Sequence, residues 1–270
     1  MKPFSQNPPV ALTIAGSDNS AGAGIQADLK TFAQFGVYGL SAVTCVVAEV
    51  PGRVTAIQSI ETRIIFEQIA LSLGHFPVAA LKTGMLYSQE IIEVVAHALK
   101  TLASSIPIVV DPVMVATSGD SLLKTDAVNA MRSKLFPIAT LITPNLDEAA
   151  VILGEKKTTS VNAMELAAKK LSAEFGTAIL LKGGHLAGPI AVDLLVIGNQ
   201  VWRYETPFIA AISTHGTGCT LSAAITAHLA CGSNLPDAVR MAKSYITEAI
   251  RQSFQWNSPQ KIAALNHFAD

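Results

Sequence analysis

A glycine-rich turn that leads into small residues is the part of this sequence best suited to chemistry. Residues 213–220 read STHGTGCT, and the alanine-containing segment 221–225 that follows favours a helix. Gly216 and Gly218 let the backbone N–H groups turn inward, and the positive end of the helix dipole adds to them. The turn therefore predicts an anion-binding site with Cys219 beside it.

Cys219 is the candidate catalytic residue of this turn. A thiol at a helix N-terminus is stabilised as thiolate, so Cys219 is expected to accept a proton near neutral pH. The amides of Gly216, Thr217 and Gly218 would then hold a phosphate or a phosphoryl group in transfer. The alternative is a helix start that uses glycine for a tight turn and a small cysteine for packing. His215 is expected to make a structural hydrogen bond.

Polar residues follow several of the predicted strands. Asp111, Asn145 and Glu148 offer oxygen ligands suited to a hydrated Mg²⁺ that phosphates also hold. Asn145 is equally placed to cap a helix that begins at Leu146, with Glu148 completing a capping box, and the two roles are compatible. Lys182 ends a strand before two glycines, where it would reach a phosphate as a point charge or lie at the surface with its ammonium in water.

Residues 22–27 suggest a different hypothesis, a dinucleotide-binding site, because they match the GxGxxA dinucleotide fingerprint. Glu49 ends the next predicted strand, where an acidic residue would bind a ribose. In that fingerprint the first glycine follows the strand directly, whereas residues 17–21 intervene here, so the signal for a nicotinamide or flavin site is weak. The sequence contains no GxxxxGK[ST], GxSxG or HExxH motif.

Composition narrows the class of protein. Half of the 270 residues are hydrophobic and 14% are charged, which is typical of a folded enzyme. The net charge of −1 favours small ligands over nucleic acid or a membrane surface. The three cysteines form neither a disulfide framework nor a CxxC pattern, so a reducing, cytoplasmic location is expected. Residues 1–9 are expected to form a disordered lead-in, and no apolar stretch suits a membrane span.

Short apolar runs alternate with segments of helical period, which predicts βαβ units and a mostly parallel sheet covered on both faces. The predicted strands are residues 10–15, 41–48, 79–82, 106–110, 141–143, 178–181 and 192–197. The predicted helices between them are residues 26–35, 62–73, 88–102, 124–135, 145–153 and 162–175. A hairpin that turns at residues 198–199 and closing helices from Cys219, Leu235 and Pro259 complete one domain over residues 1–270.

Ordered blocks over nearly the whole chain carry a resemblance to one family. They are ALTIAGSD at 11–18, GAGIQADLK at 22–30, KTGM at 82–85, VDPVM at 110–114, SGD at 118–120, TPN at 143–145, KGGH at 182–185 and THGTGCT at 214–220. In these blocks the chain resembles the hydroxymethylpyrimidine/phosphomethylpyrimidine kinases of thiamin biosynthesis, within the ribokinase-like superfamily. The resemblance implies an α/β fold, a three-layer αβα sandwich with a mostly parallel sheet. It also implies a homodimer and two successive phosphorylations of the pyrimidine by ATP with Mg²⁺.

The resemblance also implies roles for individual residues. Those that would contact the pyrimidine are Gly16, Asp28, Glu49 and Met85. Those that would bind the nucleotide and its phosphates are Asp111, Asn145, Lys182, Thr217 and Lys243, with Asp111 and Glu148 at the metal. Cys219 would be the catalytic base beside the anion hole of Gly216, Thr217 and Gly218.

Glu49 departs from the family pattern, because many members carry glutamine at the end of this strand. A glutamine amide both donates and accepts hydrogen bonds, whereas an ionised carboxylate only accepts. The departure bears on which substrate is bound, and two alternatives to the family's activity are open. One is a pyridoxal or pyridoxine kinase on the same scaffold, and the other is a non-catalytic pyrimidine- or nucleotide-binding protein.

Overall fold

The computed structural model describes residues 7–114, 125–184, 186, 188–210, 215–257 and 262–269. Its buried apolar runs form one large sheet with the strand order β3-β2-β1-β4-β5-β6-β7-β8-β9. The strands are β1 (Val10–Asp18), β2 (Tyr38–Val50), β3 (Arg53–Ser59), β4 (Val78–Thr83), β5 (Ile108–Val110), β6 (Leu141–Ile142), β7 (Ala178–Lys182), β8 (Ile190–Ile197) and β9 (Gln200–Pro207). The neighbouring pairs β2–β1, β1–β4, β4–β5, β5–β6 and β6–β7 are parallel. The pairs β2–β3, β7–β8 and β8–β9 are antiparallel.

Helices cover both faces of this sheet. They are α1 (Gly24–Gln34), α2 (Thr62–His75), α3 (Gln89–Leu102), α4 (Thr125–Ala130), α5 (Leu146–Leu153), α6 (Val161–Phe175), α7 (Thr217–Ala230) and α8 (Leu235–Arg251). Successive residues of a strand face opposite sides, so Leu12 packs into the core under α2, α3, α5 and α6 while Ala11 packs against α1 and α7. The predicted three-layer αβα architecture is confirmed.

No helix in the described part of the chain is both long enough and apolar enough to cross a bilayer.

Three expectations need correction. The predicted helix 124–135 ends as α4 at Ala130 and continues as a π turn (Met131–Leu135) and a 3₁₀ turn (Phe136–Ile138), because Pro137 lacks a backbone N–H. A closing helix from Pro259 is not found in residues 262–269, where β11 (Ala263–Ala264) pairs with β10 (Phe254–Gln255). Residues 1–6 lie outside the described residues, but Pro9 is ordered by accepting the backbone N–H of Tyr38 at 2.8 Å.

The fold brings separate segments to one edge of the sheet. Parallel strands all end on the same side, so the residues at the carboxyl ends of β1, β4, β5 and β7 meet there. The N-terminus of α7 arrives at this edge from a segment far along the chain, and α7 packs on β1, β4 and β5. The site below is built on this edge.

Candidate active site

The glycine-rich turn begins α7 as predicted. Gly216 is the N-cap with φ +79°, a left-handed conformation that glycine adopts without strain. The first N–H groups of a helix have no carbonyl partner within that helix, so those of α7 are directed out of its end, where an anion would accept them. The turn therefore has the geometry of an anion-binding site.

A close backbone contact fixes this turn in place. A Cβ on Gly216 would lie 1.8 Å from the carbonyl oxygen of Gly22, which excludes every other residue at position 216. Gly22 belongs to the loop between β1 and α1, so the anion-binding turn and that loop touch through two glycines. The glycine at 216 is thus required both for its φ and for this contact.

Asp111 and Lys182 meet beside Gly218. The Lys182 ammonium donates to Asp111 at 3.1 Å, and a Cβ on Gly218 would lie 3.2 Å from Lys182 Nζ and 3.6 Å from Asp111 Oδ2. Burial lowers the pKa of Lys182, but Asp111 and Glu148 outweigh it and hold the pKa above its usual value. The missing side chain of Gly218 lets the N-terminus of α7, the Lys182 ammonium and the Asp111 carboxylate approach one another closely, and we call this convergence the cradle.

The capping box predicted for Asn145 and Glu148 is confirmed. Asn145 Oδ1 accepts the N–H of Glu148 at 2.8 Å, and Glu148 Oε2 accepts the N–H of Asn145 at 2.8 Å. Glu148 Oε1 accepts the N–H of Met114 at 3.3 Å, and burial raises the pKa of this carboxyl. Both oxygens of Glu148 therefore accept backbone N–H groups, and a contact of Glu148 or Asp111 with a metal stays a prediction.

Asp28, which is predicted to contact the pyrimidine, lies in a buried ion pair, and its contact with the substrate stays a prediction. Its side chain is fully buried, with Oδ1 accepting from Lys82 Nζ and Oδ2 accepting from Thr13 Oγ1, each at 2.6 Å. Burial lowers the pKa of Lys82, but Asp28 outweighs it and keeps the lysine charged. The pair is buried, and its charges act on the Cys219 thiol. Sequence reasoning missed a role for Lys82, because a sequence does not show which carboxylate a buried lysine meets.

Burial also changes the chemistry expected of Cys219. It raises the pKa of the thiol to about 11, with the Lys82 ammonium opposing the change and Asp28 and Asp111 adding to it. The Cys219 sulfur accepts the backbone N–H of Gly24 at the start of α1. The predicted lowering of this pKa by the helix N-terminus is therefore wrong, and the thiol carries its proton at neutral pH in the structure as described.

Gly16 and Met85 lie together as expected, at the ends of β1 and β4. The N–H of Gly16 donates to the carbonyl of Met85 at 3.1 Å, and the hydroxyl of Thr44 donates to the same carbonyl at 2.7 Å. A Cβ on Gly16 would lie 2.7 Å from Cys45 Sγ and 3.6 Å from Met85 Sδ. Cys45 is thus a wall residue that sequence reasoning missed, since nothing but its residue type distinguished it.

Glu49 lies in a cluster with Asp18 and His215. Their ligand atoms all fall within 4.8 Å of one another, the only such group of three His, Cys, Asp or Glu side chains found among the described residues. Burial raises the pKa of Glu49 to about 7, with Asp18 reinforcing and His215 opposing the change. His215 Nε2 donates to Asp18 at 2.9 Å, so the structural hydrogen bond predicted for His215 is confirmed. Sequence reasoning gave Asp18 no role, although it is the acidic residue that ends β1.

Lys243 lies in a buried ion pair. Its ammonium donates to Asp193 Oδ2 at 2.7 Å, and Asp193 Oδ1 accepts the N–H of Gly183 at 2.9 Å. Gly183 directly follows Lys182, so the pair supports the backbone on which Lys182 is carried. Contact of Lys243 with a nucleotide stays a prediction.

Comparisons with known proteins give consistent findings. Residues 18–263 match the family model described as phosphomethylpyrimidine kinase. A hydroxymethylpyrimidine/phosphomethylpyrimidine kinase of Rhizobium meliloti is 42% identical over 259 residues, which cover 96% of this chain and 97% of that protein. A pyridoxine kinase of Bacillus subtilis is 43% identical over 261 residues, covering 94% of this chain and 96% of that one.

Solved structures agree in fold. An ADP complex of a pyridoxal kinase from Bacillus subtilis is similar to this chain with a TM-score of 0.88 and 41% identity, covering 97% of this chain and 98% of that one. The similarity extends over the sheet, both helical layers and the edge that carries the glycine-rich turn.

Proposed function

The chain belongs to the phosphomethylpyrimidine kinase family, and we propose on that premise that it phosphorylates 4-amino-5-hydroxymethyl-2-methylpyrimidine twice. The first transfer from ATP esterifies the hydroxymethyl group, and the second converts the resulting monophosphate to the diphosphate used in thiamin biosynthesis. Membership makes the chain a phosphotransferase, which removes the non-catalytic binding protein from consideration. The observation that carries the proposal is the cradle at Gly218, where α7 amides, Lys182 and Asp111 converge.

The residues at this cradle suit ATP and Mg²⁺. The missing Cβ of Gly218 lets α7 approach Lys182 closely, and the α7 amides would be fixed donors for the oxygens of a phosphate bound beside them. Asp111 offers the carboxylate oxygen that Mg²⁺ prefers alongside phosphates and water. Bound Mg²⁺ would neutralise charge on the phosphates. Lys182 would act as a point charge, and the amides of Gly216, Thr217 and Gly218 would stabilise the charge that develops on the transferred phosphoryl group.

Cys219 is proposed as the base that takes the proton of the attacking hydroxyl. Because burial raises its pKa to about 11, the reactive thiolate is a minor species at neutral pH and a strong base once formed. The Lys82 ammonium is the nearby charge that favours the thiolate. The wild-type kcat is therefore expected to rise with pH above neutrality.

A Cys219→Ala variant tests this role. It should lower kcat by a factor of about 10²–10⁴, the usual contribution of a positioned general base, and abolish the rise of kcat with pH. Its affinity for ATP, measured by calorimetry, should change little because the turn's amides remain. Turnover at the wild-type rate would remove Cys219 from the mechanism.

A pyridoxine or pyridoxal kinase is the second candidate, favoured by the Bacillus subtilis relative and by Glu49 in place of the usual glutamine. Both substrates carry a hydroxymethyl group on a flat heteroaromatic ring. Steady-state kinetics with coupled detection of ADP on the pyrimidine, pyridoxal and pyridoxine would rank the three by kcat/KM. A kcat/KM for either vitamin B6 alcohol well above that for the pyrimidine would reverse the assignment.

Besides the activity, we propose a location and an oligomeric state for the protein. The protein is expected to be a cytoplasmic homodimer. Light scattering coupled to size-exclusion chromatography should give twice the mass of one chain.

A further inference from the structure

Asp18 is a buried hydrogen-bond hub at the end of β1. Its Oδ1 accepts the N–H of Ser20 at 2.7 Å, and its Oδ2 accepts the N–H groups of Gly22 at 3.1 Å and Ala23 at 2.8 Å. The same Oδ2 accepts from His215 Nε2 at 2.9 Å. Burial acts to raise the pKa of Asp18, but these hydrogen bonds outweigh it and lower the pKa to about 2. The carboxylate is therefore charged at every working pH.

His215 links this hub to the anion-binding turn. It directly precedes Gly216, whose backbone packs against the carbonyl of Gly22. A Cβ on Gly22 would lie 2.8 Å from the His215 ring, so the imidazole lies flush against the loop that Asp18 holds. At the far end of the turn, the Cys219 sulfur accepts the N–H of Gly24. The turn is thus held to the β1–α1 loop at its start, its middle and its end.

Of these three contacts, the one at His215 is the only hydrogen bond to a charged side chain. Such bonds are stronger than neutral ones and hold a definite geometry. The Asp18 carboxylate already fixes the β1–α1 loop through backbone N–H groups, so a donor from His215 places the turn relative to a rigid reference. Gly216 has no side chain that could do the same.

We propose that His215 is a positioning residue for phosphoryl transfer: bonded to Asp18, it holds the amides of Gly216, Thr217 and Gly218 where the transferring phosphoryl group needs them. This role rests on the function proposed above. Donors that are already in place stabilise developing charge without reorganisation, and a displacement of about 1 Å in a catalytic group costs on the order of 10²-fold in rate. His215 acts through the turn and touches no reacting atom.

Two variants of His215 separate positioning from packing. His215→Gln keeps an amide donor at a reach similar to that of Nε2, whereas His215→Leu fills the space and donates nothing. We expect His215→Leu to lower kcat by about 10²-fold, with a smaller change in the KM for ATP, and His215→Gln to recover most of that loss. His75→Gln, at an exposed histidine on α2, is the matched control and should behave as wild type.

Hydrogen exchange gives a readout that does not depend on which alcohol is phosphorylated. A charge-assisted hydrogen bond of ordinary strength corresponds to about 10- to 100-fold in the local opening equilibrium, so amides 216–219 of His215→Leu should exchange faster by about that factor. Peptides of α3 should be unchanged. Asp18→Asn removes the acceptor charge and should reproduce the effect, which keeps the test available if His215→Leu fails to fold.

The possible results separate the two proposals. A wild-type enzyme inactive on the pyrimidine would overturn the proposed function, while the exchange data would still judge the role of His215. A wild-type kcat in His215→Leu would overturn the positioning role, and so would exchange that is unchanged at the turn. Faster exchange throughout the protein, with a lower Tm and an unaltered kcat, would reduce His215 to a stability role and equally refute the proposal.

Discussion

The affinity for the pyrimidine should depend on pH through Glu49. Burial, reinforced by Asp18 and opposed by His215, raises the pKa of the Glu49 carboxyl to about 7. A protonated carboxyl can donate a hydrogen bond to an unprotonated ring nitrogen, whereas the carboxylate can only accept. If Glu49 faces the ring, binding therefore requires a proton that is progressively lost above pH 7.

The size of the effect follows from that pKa. A carboxyl with a pKa of about 7 is roughly 90% protonated at pH 6 and about 1% protonated at pH 9. The Kd of the pyrimidine should accordingly rise nearly 100-fold between these pH values, which corresponds to about 2.7 kcal/mol. Leaving a buried hydrogen-bond acceptor unpaired costs about 1–3 kcal/mol, and the expected change lies within this range. The loss of this one hydrogen bond therefore limits how far the affinity can fall.

Isothermal titration calorimetry of hydroxymethylpyrimidine from pH 6 to 9 measures this dependence. Glu49→Gln supplies an amide donor at every pH, so its Kd should stay nearly constant over the same range. Curves that run parallel for wild type and Glu49→Gln would refute the reasoning, and the choice of substrate would then have to be sought in Val50 and Pro51.

Thermal unfolding without ligand checks the same pKa independently. The raised pKa means that the folded state binds the Glu49 proton more tightly than the unfolded state does. Wild-type stability should therefore fall as pH rises from about 4.5 to 7, whereas Glu49→Gln should lack this fall. Because Glu49 is only half-buried, the free energy of unfolding of Glu49→Gln at pH 8 should exceed that of wild type by only about 1 kcal/mol.

Three further perturbations have definite expected outcomes. Lys182→Ala should weaken ATP binding in calorimetry and kcat together, and a loss of Tm alone would make Lys182 structural. Lys82→Met should cost about 3–5 kcal/mol in urea unfolding because the Asp28 carboxyl loses its buried partner in the core, and adding Asp28→Asn should restore most of this loss. Additive losses would contradict the pairing. Burial lowers the pKa of His267 to about 4, so stability should decline as pH falls from 6.5 toward 4 in wild type but not in His267→Gln, as followed by thermal unfolding; equal declines would refute this.

The sheet could be predicted because its central strands are buried on both faces. Every residue of β5 and β6 is buried, so each appears in the sequence as a short apolar run between polar segments. β3 (Arg53–Ser59) was not predicted, because none of its residues is fully buried and it pairs at the edge of the sheet with residues 45–50 of β2. A strand held by backbone hydrogen bonds alone leaves no periodic signal in its side chains.

The parts of the site that depend on the course of the backbone could be predicted from the sequence. The type and spacing of Gly216 and Gly218 indicate the turn. Asp111 and Lys182 are indicated by their positions at the ends of strands that meet on one edge of the sheet. The pKa of Cys219 was not predictable, because the carboxylates of Asp28 and Asp111 that raise it come from positions 191 and 108 residues away. The helix N-terminus is a local feature, and here it is outweighed by burial, which only the assembled fold determines.

The charges at the site explain why the α7 amides are needed. Lys182 is neutralised by Asp111 and Lys82 by Asp28, so the two buried lysines bring no net positive charge to the pocket. Besides the proposed Mg²⁺, attraction for a phosphate would then come from oriented N–H groups, which carry partial positive charge without a counterion. Loss of Lys182 would leave Asp111 facing the phosphate with its charge uncompensated. Lys182→Ala should therefore weaken ATP binding by more than the loss of a single favourable contact.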